Sequence, residues 1–146
     1  MIDSGKANFV FNNVPDGVPV YIVLKHRNSI ETWSRYAATS FALLFEEHFL
    51  PFTSFLNYSF TSSGSTAHGN NLLLVDTGPN KYAVYNGDVN QDQTIDASDL
   101  SQVENDAAVS LSGYVTSDVT GDDFTDAADL SIVENNVALG VSVITP

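Results

Sequence analysis

Asp88, Asn90, Asp92, Asp96 and Asp99 occupy the first, third, fifth, ninth and twelfth places of one twelve-residue stretch. Asp118, Thr120, Asp122, Asp126 and Asp129 repeat that spacing thirty residues later. Side-chain oxygens at alternate places of a tight loop converge on a point, and the seventh residue, Thr94 or Phe124, adds its backbone carbonyl. With no Cys in the chain and no His in either stretch, the donors are all hard oxygens, which suit calcium rather than zinc or copper. Each stretch offers four carboxylates, so the expectation is two calcium ions, one per loop.

The spacing is that of the EF-hand calcium loop, with informative departures. The sixth place, where a left-handed backbone favours Gly, holds Gln93 in one loop and Asp123 in the other. The twelfth place is Asp in both loops rather than Glu, and Thr120 is a poorer ligand than Asn90. A plainer use of the same residues is helix capping, with Asp96 and Asp126 as N-caps. Two loops in the same register favour the metal reading.

Charge agrees. All five Lys and Arg precede residue 88, together with six of the eighteen Asp and Glu, so residues 88–146 carry −12. A compact segment of that charge repels itself, and two divalent ions would reduce it to −8. The same charge disfavours nucleic acid and anionic membrane surfaces as partners. No apolar run reaches membrane-spanning length, and Met1-Ile-Asp-Ser-Gly has neither a basic nor an apolar leader pattern.

The elements behind the loops follow from periodicity. Residues 88–109 and 118–139 are identical at twelve of twenty-two places, a tandem duplication. After each loop the apolar residues Leu100, Val103 and Ala107, or Leu130, Val133 and Val137, recur at helical spacing. Residues 111–117 link the copies, and no clear helix precedes either loop.

Upstream, short β-rich runs alternate with turn signals. ANFVF (7–11) and VPVYIVLKH (18–26) flank the turn-rich 12–17 as a hairpin-like pair. Further strands are expected at 29–34, 40–45, 54–60, 71–76 and 81–86, while 41–52 reads as strand, loop or short helix. Strands at roughly 10-residue spacing predict an all-β sandwich over residues 1–86. The fold class is therefore mixed: a sandwich (1–86) followed by a small α-helical unit (87–146). The first expected strand begins almost at residue 1, so the sandwich looks short of N-terminal strands and would leave an open edge.

The repeated phrase GDVNQDQTIDASDLSQVEN…SDVTGDDFTDAADLSIVENN resembles the duplicated loop-helix repeat of type I dockerins, by which secreted bacterial proteins dock onto cohesin domains. The resemblance covers residues 87–139. It implies a non-catalytic, calcium-stabilised protein-protein interaction module of an extracellular or cell-surface bacterial protein. In dockerins the tenth and eleventh loop places and the following helix select the partner. On this chain they fall at Ala97, Ser98, Glu104 and Asn105, and at Ala127, Ala128, Glu134 and Asn135, with Ser98 against Ala128 breaking the internal symmetry. GKANFVFNNVPDGVPVYIVLKHRNSIETWS, with GNNLLLVDTGPNKYAVYNGDVN after it, resembles a transthyretin-like or carboxypeptidase-regulatory-like sandwich module (Ig/transthyretin-like).

The implied partner is a cohesin-like domain or another copy of the chain. A second expectation is a homo-oligomer or extracellular filament, its open sandwich edge closed by a neighbour's strand. A third is carbohydrate binding through Trp33, Tyr36 and Tyr58, against which aromatic core packing is the plainer reading. Catalysis finds no support: His26, His48 and His68 share no metal spacing, and Glu46-Glu47-His48 reads as a solvated turn. Lys25-His26-Arg27 reads as a solvated strand end, or as a small basic patch facing an acidic neighbour.

Overall fold

The computed structural model of the chain describes residues 20–35 and 58–146. Strands β1 (Val23–His26) and β2 (Ser29–Trp33) form an antiparallel pair turning at Arg27-Asn28. Their ladder sets Leu24 opposite Thr32 and Val23 opposite Trp33, and it buries Ser29, Ile30 and Thr32 of β2. Strands β3 (Leu73–Thr77) and β4 (Asn80–Ala83) form a second antiparallel pair, mostly exposed, turning at Gly78-Pro79. Helices α1 (Ala97–Ala108) and α2 (Ala127–Leu139) follow and pack on each other.

Each helix begins where its sequence supplies a cap. Asp96 and Asp126 accept the N–H of Ser98 and Ala128, while Asp99 and Asp129 reach back to the cap backbone, completing a capping box in each copy. A cap of this kind contributes about 1 kcal/mol. Val103 and Val133, at the centre of the apolar stripe, are fully buried, and each contributes roughly 1.5–3 kcal/mol. Helix α2 stops at Gly140, which takes the left-handed conformation that ends helices (φ 65°).

The core joins parts far apart in sequence. Ile30 of β2 is buried with Val89 and Ile95 of the first loop, Val119 of the second, Val103, Val133 and Val141. Ile30 N–H donates to Tyr85 O (2.9 Å), Gly87 N–H to Asn28 O (2.7 Å), and Thr32 bridges in parallel to Ile144 near the C-terminus. The β1–β2 hairpin is thus built into the base of the repeat pair. Gly87 is required where the chain enters the first loop: its φ is +120°, and a Cβ there would lie 3.2 Å from Ile95 Cγ2 and 3.3 Å from Val133 Cγ2.

Both helices lie where the periodicity places them, and strand pairing is found within 18–26, 29–34, 71–76 and 81–86. The sandwich itself is not seen: among the described residues the strands form two separate two-stranded sheets. The runs 7–11 and 40–45 and the ambiguous 41–52 lie outside the described residues, and 58–60, the described end of the run 54–60, is not strand.

Candidate metal centre

The first loop is wound around its own carboxylates. Asp88 Oδ1 accepts the N–H of Asp92 (3.1 Å) and Asp88 Oδ2 that of Gln93 (3.3 Å). Asp99, fully buried, accepts Val89 N–H (2.9 Å) and Asn90 N–H (3.2 Å) on one oxygen and Asp96 N–H (3.0 Å) on the other. Asn90 Oδ1 accepts Asp92 N–H (2.9 Å), and Asp92 Oδ1 accepts Thr94 N–H (3.1 Å). The turn needed at the sixth place is present, with Gln93 at φ 78°.

These contacts bring carboxylate oxygens of Asp88, Asp92 and Asp99 within 4.8 Å of one another, two of the three residues being buried. Burial, then the neighbouring charge of Asp99 and that of Asp92, raise the Asp88 carboxyl above its ordinary value, outweighing the N–H groups of Gln93 and Asp92. Three convergent carboxylates with no basic side chain bridged to them, among the described residues, form a donor set that fits a hard divalent cation. Asp96, exposed, lies at the helix start, where the N–H and hydroxyl of Ser98 hold its carboxyl below the ordinary range.

The second loop repeats this winding. Asp118 accepts N–H groups from Gly121 (2.7 Å), Asp122 (3.2 Å) and Asp123 (3.3 Å), and Asp129 those of Val119 and Thr120 (2.8 Å each) and Asp126 (2.9 Å). Asp122 accepts Phe124 N–H at 3.0 Å, and Asp123 stands at φ 80° in the sixth place. The third place differs. Thr120 Oγ1 turns to Asp118 Oδ1 (3.4 Å), whereas Asn90 ties its loop to Asp92 and to Ser98 Oγ (2.9 Å each).

A second difference has no counterpart in the repeat. Arg27, from the β1–β2 turn, places Nη2 3.3 Å from Asp118 Oδ2 and 3.0 Å from Asp118 O, and its guanidinium lies 4.0 Å from the centre of the Tyr114 ring. Asn28 beside it donates to Thr116 O (3.1 Å) and Asp118 O (2.8 Å). Burial alone would raise the Asp118 carboxyl. The N–H groups of Gly121, Asp123 and Asp122, with Arg27, outweigh it and hold the group below its ordinary value. Of the Lys25-His26-Arg27 run, Lys25 pairs with Glu31 of the neighbouring strand, while Arg27 meets Asp118 of the second loop.

The seventh residues sit at short β-bridges, Thr94 to Ser142 and Phe124 to Ser112. Ile95 N–H donates to Val141 O (2.9 Å), and Thr125 N–H to Leu111 O (2.8 Å). Each loop therefore pairs with the segment that follows the other copy's helix. The residues selected as a partner surface, Ala97, Ser98, Glu104, Asn105, Ala127, Ala128, Glu134 and Asn135, are all exposed. Ser98 also belongs to the first loop, donating to Asp96 Oδ1 at 2.7 Å.

Two duplicated loops wound about buried aspartates, each feeding a capped helix, correspond to a known module. Residues 86–138 match the dockerin type I domain. Dockerin domains bind calcium and are non-catalytic protein-protein interaction modules, found in extracellular cellulosome proteins. No curated protein and no solved structure matched the chain. Among the described residues no helix is long and apolar enough to cross a membrane.

Sequence reasoning left Arg27 as a solvated strand end or part of a basic patch with no named neighbour and missed Asn28 and Tyr114, because nothing in an Arg-Asn turn marks it as facing a loop 91 residues away. Trp33 and Tyr58 are engaged internally, Trp33 Nε1 donating to Glu31 Oε1 (2.6 Å) and the Tyr58 hydroxyl to Thr66 O. Tyr36, Glu46, Glu47 and His48 lie outside the described residues.

Proposed function

We propose that the chain is a calcium-stabilised docking module of an extracellular or cell-surface bacterial protein, residues 87–146 forming the docking unit and 1–86 a β-sandwich module that carries it. The observation that supports this most is the convergence of Asp88, Asp92 and Asp99 in a loop whose backbone fold is repeated around Asp118, Asp122 and Asp129. The ligands are Asp88, Asn90, Asp92, Asp96, Asp99 and the carbonyl of Thr94 in the first loop. In the second they are Asp118, Thr120, Asp122, Asp126, Asp129 and the carbonyl of Phe124.

Two calcium ions, one per loop, supply positive charge that gathers these oxygens. The protein contributes the buried acceptors that fix the loop backbone and the capped helices that start from it. The exposed faces bearing Ala97, Ser98, Glu104 and Asn105, or Ala127, Ala128, Glu134 and Asn135, then meet a cohesin-like domain. Surface plasmon resonance against immobilised cohesin domains tests this, with binding expected in calcium and lost in chelator. Light scattering of the same samples separates docking onto a partner from self-association into an oligomer or filament.

A further inference from the structure

The two loops share a ligand pattern but not an electrostatic setting, and the difference originates outside the repeat. Arg27 is held against the second loop by four features at once. Its Nη2 bridges Asp118 Oδ2 and the Asp118 carbonyl; its plane lies on Tyr114; its side chain is only 16% exposed; and Asn28 anchors the same turn to Thr116 O and Asp118 O. The guanidinium Nε and Nη1 are buried without a hydrogen-bond partner. Leaving these buried donors unpaired carries a desolvation cost, which sets this guanidinium apart from a solvated surface Arg. In the first loop, among the described residues, no cation occupies the corresponding place beside Asp88.

We propose that Arg27 is a built-in counter-cation of the second loop, which opposes a divalent ion at Asp118 and makes the two duplicated loops metal sites of unequal strength, the first filling before the second. This rests on the metal reading given above. A guanidinium within 3.3 Å of one carboxylate oxygen repels a doubly charged ion bound by that same carboxylate, in a partly buried setting where screening by water is weak. It also supplies, without metal, part of the neutralisation that the first loop lacks. Thr120 in the third place acts in the same direction, as a neutral hydroxyl turned to Asp118 rather than an amide oxygen.

The consequence reaches beyond affinity. Arg27 belongs to the turn of the β1–β2 hairpin, whose Ile30 is part of the helical core, so an ion at the second loop acts on the seat of the N-terminal hairpin. Both loops share the hairpin's core contacts, but through Arg27 only the second has a hairpin charge placed directly on a ligand carboxylate.

Calcium titration calorimetry on the whole chain, with R27Q and R27K beside it, tests the proposal. The unmodified chain is expected to bind two ions in separable steps. R27Q should strengthen the weaker step about tenfold and leave the tighter one in place. R27K, which keeps the charge, should retain a weak second step. A second step unchanged or weakened in R27Q would overturn the counter-cation role while leaving metal binding intact; no calcium binding by any of the three would overturn the metal reading itself. Should R27Q lose its helical circular dichroism, the unmodified protein still decides the matter by NMR. The Arg27 Nε–H resonance should move with the second equivalent of calcium and not with the first, and movement with the first equivalent overturns the proposal.

Discussion

Thr94, in the seventh place of the first loop, pairs antiparallel with Ser142, which lies beyond the second helix. The duplicate obeys the same relation, Phe124 pairing with Ser112 beyond the first helix, so that each loop is closed by the segment that ends the opposite copy. Neither repeat is complete alone. Removal of Val141–Pro146 is therefore expected to loosen the first loop, although the residues it pairs with there lie nearly fifty positions away in sequence. Hydrogen exchange should show lost protection at Gln93–Ile95 and unchanged protection at Asp123–Thr125. The reverse pattern would mean that each copy is closed by its own segment.

Asp99 accepts three backbone N–H groups in a fully buried position. Replacing it with Ala leaves those donors without an acceptor, which is expected to destabilise the metal-free chain by about 3 kcal/mol. Urea unfolding in chelator measures this directly. A loss no greater than that of an exposed substitution such as Glu104→Ala would show that Asp99 does not organise the loop.

Gln93 stands at φ 78°, a conformation that suits glycine. Gln93→Gly is expected to stabilise the first loop by about 1 kcal/mol, relief of strain exceeding the entropy gained by the unfolded chain. Asp123→Gly, at φ 80°, should gain less, because Asp tolerates the left-handed region better than Gln. Paired melting curves of the two variants test the order.

The two leading aspartates respond oppositely to pH in metal-free protein. Asp88 is raised, so its contribution to stability is present at low pH and is lost as pH rises and the carboxylate ionises beside Asp99 and Asp92. Asp118 is lowered, so its contribution is present at neutral pH and is lost as pH falls through its depressed folded value. Carbon-detected NMR titration should find Asp88 losing its proton at higher pH than Asp118. Coincident titration would remove the asymmetry between the loops.

The helical half was legible in the sequence because its signals are local. The period-2 oxygen ligands, the cap-and-stripe pattern and the offset of thirty residues all lie within one segment, and α1 and α2 begin at the caps those signals mark. What was not legible depends on contacts between distant segments. Ile30 reads as an ordinary strand residue and Arg27 as a strand end or a basic patch whose acidic neighbour the sequence does not name, and only the fold brings them to Val103, Val133 and Asp118. Leu111 and Val141 carry no mark of their role either, since backbone pairing between one loop and the other copy's tail has no side-chain signature. The sandwich was inferred from strand spacing and a short sequence resemblance, and neither determines which strands pair: among the described residues they form two separate hairpins.

Differential scanning calorimetry of the whole chain in calcium and in chelator tests the central claim most directly. Calcium at a hundred times the dissociation constant of a site stabilises by about 2.7 kcal/mol through that site, so the melting temperature is expected to rise by several degrees and to keep rising with calcium concentration. Magnesium, which demands a stricter octahedral arrangement, should shift it less. A melting temperature indifferent to calcium and to chelator would contradict the reading of the duplicated aspartate loops as metal sites.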